Sequence, residues 1–93
     1  MQRKEIIQTI VDHLNKIGMT AGTIDEGKNF EVIFKDVETL HKLLNAFRGG
    51  SCPWKLSLTN TSILAVRPPK FDSDNLSREI DYKICLLKSL FGG

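Results

Sequence analysis

Residues 19–35 read MTAGTIDEGKNFEVIFK, and the alternation in the second half of this stretch anchors everything on either side of it. Phe30, Val32 and Phe34 fall on one side of an extended segment and Glu31, Ile33 and Lys35 on the other, the period-two pattern of a strand with one buried face. Residues 19–24 are more weakly patterned. Between the two segments lies Asp25-Glu26-Gly27-Lys28, where Gly27 is free to take positive φ, so a hairpin is the economical reading of residues 19–35.

Upstream, residues 2–17 place Ile6, Ile7, Ile10, Val11, Leu14 and Ile17 at spacings of three and four, which predicts an amphipathic helix closed by Gly18. Downstream, Asp36 is positioned to cap a second helix beginning at Val37, with Glu38 adding favourable charge to its first turn. Its stripe is Val37, Leu40, Leu43, Leu44 and Phe47, and Gly49-Gly50 stops it after Arg48. Trp54, Leu56 and Leu58 alternate with Lys55, Ser57 and Thr59, predicting a strand whose first three residues named here face inward. Asn60-Thr61 reads as a tight turn into a further strand over residues 62–67, which Pro68-Pro69 ends because proline cannot donate to a ladder. A loop follows, and then a third helix capped by Asp72, Ser73 or Asp74 and running to about Phe91.

The predicted order is α-β-β-α-β-β-α. Two hairpins separated by a helix most simply join into one four-stranded, mainly antiparallel sheet with the helices on one face, an α+β two-layer sandwich. Ninety-three residues hold one core, so residues 1–93 are read as a single domain. Apolar residues make up 41% and charged residues 26% of the chain, too apolar a balance for a disordered segment. No apolar run approaches the length of a membrane span, and the charged start MQRKEIIQTIVDHLNK does not resemble a secretory signal. Cys52 and Cys85 are far apart and sit in no metal spacing, so reduced thiols and a cytoplasmic location are expected.

The residues that could carry chemistry each meet a plainer explanation. His13 and His41 are solitary, without the i, i+4 spacing of a zinc helix, so no metal is expected. Cys52-Pro53-Trp54 has the surroundings of a redox cysteine, but Lys55 occupies the place of the second thiol. Cys85 lies within the third helix and reads as a small core or interface residue. Gly49-Gly50-Ser51 follows a helix, whereas a phosphate-cradling loop follows a strand and opens a helix. Asp72, Asp74, Glu79 and Asp81 lack the glycine and the terminal acid of a calcium loop. Gly92-Gly93 matches the ending of ubiquitin-like modifiers, but there the pair extends from a strand and here it follows an apolar helix. No cofactor is expected, and no acid, base and nucleophile assemble into a catalytic set.

Two binding readings are left. In the third helix, Leu76, Ile80, Ile84, Leu87 and Phe91 already form a stripe, and Tyr82, Leu86 and Leu90 widen it beyond what one sheet needs. With Phe71 in the preceding loop, these three form a candidate protein interface, for a larger partner or a homodimer. A small inhibitor or regulatory subunit, of the kind encoded by phages and mobile elements, is the expected role. The alternative is a nucleic-acid-binding regulator that uses a basic sheet face of Lys28, Lys35, Lys55 and Arg67 with Lys70 nearby. The formal charge of only +2, and the inward position of Phe30, Phe34 and Trp54, weigh against a stacking platform there.

Overall fold

A computed structural model describes residues 2–48, 54–70 and 73–92. The elements are helix α1 (Arg3–Lys16), strands β1 (Thr20–Ile24) and β2 (Asn29–Ile33), helix α2 (Val37–Arg48), strands β3 (Lys55–Leu58) and β4 (Ile63–Arg67), and helix α3 (Ser73–Phe91). All pairings are antiparallel, and the strand order is β1-β2-β4-β3. The second strand of each hairpin is therefore central, and β1 and β3 are the edges. The α+β class, the element order and the antiparallel sheet agree with the sequence expectation.

Local chemistry accounts for the element ends. Gly18 takes φ 93°, and the amides of Gly18 and Met19 donate to the carbonyls of Asn15 and Leu14, the paired bonds of a left-handed helix stop. The Asn15 side chain then exchanges two hydrogen bonds with the backbone of Ala21, occupying edge groups of β1 that no strand pairs. Asp36 accepts the Thr39 amide at 2.7 Å, the predicted cap, and this bond holds its carboxyl below the usual range. In the second hairpin Asn60 Oδ1 accepts the Ser62 amide at 2.8 Å, closing the turn.

The inner sheet residues Phe30, Val32, Leu64 and Val66 are buried against Ile6, Ile10 and Leu14 of α1, Leu43 and Phe47 of α2, and Leu76, Ile80 and Leu87 of α3. Each such side chain contributes roughly 1.5–3 kcal/mol relative to exposure. Phe30, Phe47 and Trp54 form an aromatic trio with centroids 5.3–6.2 Å apart. On the opposite side of the sheet, Glu31, Ile63 and Ala65 are only half-buried, and Ile33, Ser57, Lys55 and Arg67 are exposed. The three helices cover one face of the sheet and leave the other open.

Two positions on predicted stripes depart from the expectation, and one charged residue off those stripes is buried. Leu58 is 56% exposed although it pairs with the buried Leu64, because it ends an edge strand at the hairpin tip, where cover from the helices runs out. Val37 is exposed at the first position of α2, where the stripe begins. Lys83, a charged residue on the inner side of α3, is fully buried. The predicted glycine stop at Gly49-Gly50, the Cys52-Pro53 segment, the loop residue Phe71, the cap candidate Asp72 and Gly93 lie outside the described residues, as does the Ser73 side chain.

Candidate functional site

The five basic residues read from the sequence as a sheet face are all exposed, but they do not form one patch. Lys55 and Arg67 are direct partners across β3 and β4, so their side chains share the open face. Lys28 precedes β2 at the same end of the sheet, because Phe30 is in register with Val66 and Arg67 follows one step beyond. Lys70 extends from that end past Pro68-Pro69. Lys35 lies past the other end of β2, and at about 3.3 Å per residue it is roughly 20 Å from Lys28 along the strand direction.

Helix α1 supplies a cation that the sequence pattern does not single out. Arg3 occupies the first turn of the helix and crosses to the sheet end, donating to the carbonyls of Pro68 (2.8 Å), Pro69 (3.1 Å) and Lys28 (3.3 Å). One guanidinium thus ties the entrance of β2 to the exit of β4. Its acceptors are neutral carbonyls, so its charge is not cancelled. Burial first, and the nearby Arg67 charge second, lower the Arg3 pKa. At the sequence level the only signal is an arginine in an N-terminal turn, where the helix dipole already disfavours a cation.

Arg3, Lys28, Arg67 and Lys70 line an open concavity of about 700 Å³. Asp25 and Glu26 of the turn preceding β2, with Asn29, complete its lining. Among the described residues none of these four cations forms an ion pair with a carboxylate. Asp25 is engaged otherwise: its Oδ2 accepts the Nδ2–H of the buried Asn29 at 2.7 Å. All three turn residues are left-handed, with φ of 51° at Asp25, 57° at Glu26 and 86° at Gly27. Gly27 adopts this conformation without strain and Asp25 tolerates it, whereas Glu26 is the least suited; a Cβ at Gly27 would meet Lys4 Cγ at 2.8 Å.

The α3 arc is divided by the packing. Leu86 is half-buried and packs onto the core, so it is not a free surface. Tyr82 stays 50% and Leu90 36% exposed. Tyr82 also has an internal role, because Lys83 Nζ lies 5.7 Å from its ring centroid and 5.6 Å from that of Trp54. Lys83 Nζ is 3.2 Å from Glu79 Oε1 but off hydrogen-bond angle, so the contact is an ion pair, while Glu79 Oε1 also accepts Trp54 Nε1–H at 3.2 Å. Desolvation lowers the Lys83 pKa against the opposing pull of Glu79. Lys83 interrupts the spacing Leu76, Ile80, Lys83, Leu87, which is the signal by which its burial can be read from sequence.

His13 lines a second, smaller cleft together with Lys16 and Lys88, and burial followed by the charges of Lys88 and Lys16 lowers its pKa. Among the described residues no group of histidines, cysteines and carboxylates is arranged to hold a metal ion, and no helix is long and apolar enough to cross a membrane. No family model, curated protein or solved structure matches the chain.

Proposed function

We propose that this chain is a non-enzymatic binding module that holds a nucleic acid against the cationic end of its open sheet. The observation that supports this is the convergence of Arg3, Lys28, Arg67 and Lys70, from three separate segments of the chain, on one concavity in which none of them is ion-paired with a described carboxylate. Unpaired cations raise the local positive potential and gain most from a phosphate, because its approach releases the counterions condensed on the nucleic acid. Lys55, beside Arg67, extends the surface toward the β3 edge.

Fluorescence anisotropy of a labelled single-stranded oligonucleotide, measured across salt concentrations, tests this reading. Three to four phosphate contacts predict a slope of roughly −2 to −3 in log K against log salt, at about −0.7 per contact for a single strand. The double variant Arg67→Ala/Lys70→Ala should weaken binding at least tenfold, and Lys35→Ala, at the far end of the sheet, should leave it within twofold. No binding at low salt, or equal losses from the two ends, would overturn the assignment.

The exposure of Tyr82 and Leu90 on one flank of α3 favours a second reading, a protein interface that serves an inhibitory or regulatory role. Light scattering of the wild type and of Tyr82→Ser/Leu90→Ser tests its self-association form. A monomer in both cases removes the homodimer.

A further inference from the structure

The cations do not line this concavity alone. Asp25 and Glu26 line the same concavity, and a carboxylate beside a phosphodiester repels it. Opposite charges that share a surface usually collapse into ion pairs, yet here no described pair forms between them. Packing engages one group of each charge. Arg3 is spent on the carbonyls of Lys28, Pro68 and Pro69, and Asp25 is anchored by Asn29, which is only 9% exposed. The backbone beneath the carboxylates is itself unusual, since Asp25 and Glu26 both hold the left-handed conformation that glycine adopts without strain. Strain kept at a concave surface is where a ligand-facing role is to be sought.

A ligand that suits both kinds of charge carries an anion at one end and N–H donors at the other. We propose that the concavity binds one nucleotide unit, its phosphate against Arg67 and Lys70, and its base edge donating to the carboxylates of Asp25 and Glu26. This rests on the nucleic-acid reading and adds base recognition to it. The volume, about 700 Å³, falls within the range of small-ligand sites. The acceptors also rank the bases. Guanine presents two adjacent donors, N1–H and the N2 amino group, which match the two oxygens of a carboxylate, whereas uracil presents a single imino N–H. Unstacked bases in single strands are read on this edge.

The test is an amide-resolved NMR titration of the full chain with 5′-GMP, 5′-UMP, guanosine and inorganic phosphate. 5′-GMP should bind at least fivefold more tightly than 5′-UMP or inorganic phosphate and shift the amides of Gly27, Asn29 and Lys70. Glu26→Gln is the first variant, because Glu26 makes no described hydrogen bond and its loss leaves the Asp25–Asn29 contact intact. It should lower the preference for 5′-GMP over 5′-UMP at least threefold while inorganic phosphate binds as well or better. Arg67→Ala/Lys70→Ala should weaken both nucleotides and leave the weaker guanosine contact unchanged. If Glu26→Gln tightens every anion equally, or the two nucleotides match inorganic phosphate, the carboxylates merely repel and base recognition is wrong, while a steep salt dependence with oligonucleotides leaves the nucleic-acid reading standing. If neither oligonucleotides nor nucleotides bind, both fall.

Discussion

Exchange of the buried ion pair on α3 tests the packing of the core most directly. Lys83 is 0% exposed and the Glu79 side chain 10%, so each charge relies on the other and on the faces of Trp54 and Tyr82. In Glu79→Gln the ammonium loses its counter-charge but remains buried, and breaking such a pair costs roughly 3–5 kcal/mol. The ceiling is the cost of discharging the lysine: for an ordinary pKa near 10.4, about 4.6 kcal/mol at pH 7. Lys83→Met keeps the apolar stem and strands a nearly buried carboxylate that still accepts from Trp54 Nε1, so it too should lose roughly 3–5 kcal/mol. The double variant Glu79→Gln/Lys83→Met removes both charges and keeps an acceptor for the indole N–H, the side-chain amide carbonyl that replaces the carboxylate. It should therefore return to within about 1 kcal/mol of the wild type or exceed it. Urea unfolding followed by the emission of Trp54, the single tryptophan, reads all four proteins in one cycle. Each kcal/mol should also move the Tm by about 4–8 °C for a chain of this size. Single losses below about 1 kcal/mol that simply add in the double variant would show that water reaches the pair, and the account of this core would be wrong.

Three further outcomes follow from local geometry. Glu26→Gly relieves a left-handed backbone and should gain about 0.5–1 kcal/mol after the entropy cost of glycine, measured by thermal unfolding; a loss of that size would mean the side chain supports the turn. His13 has a native pKa lowered below the ordinary 6.5, so between those two values the unfolded chain binds more protons and stability rises with pH; acidification through that window should lower the Tm, and His13→Gln should flatten the dependence. Asp36→Ala should lower the Tm at neutral pH and Asp36→Asn should largely preserve it, because either oxygen can accept the Thr39 amide. Since the Asp36 pKa is depressed, the cap's charged contribution is present above its ordinary value of 3.8, and the gap between wild type and Asp36→Ala should narrow as pH falls below it.

The elements of this chain were legible along it, because period and capping are properties of neighbouring residues. The alternation Phe30, Val32, Phe34, the Asp36 cap and the Gly18 stop all act within a few positions and appear where expected. The strand order was not legible in this way: it emerges from packing, which joins the hairpins through β2 and β4 and so brings Lys28 beside Arg67 while leaving Lys35 at the far end. Packing also assigns Leu86 to the core and leaves Tyr82 half-exposed, since the width of a helical stripe does not say which flank a neighbouring helix covers. Arg3 joins the cationic site across more than sixty residues through its bonds to Pro68 and Pro69. Charge convergence of this kind is set by long-range contacts, and no local pattern in the chain carries it.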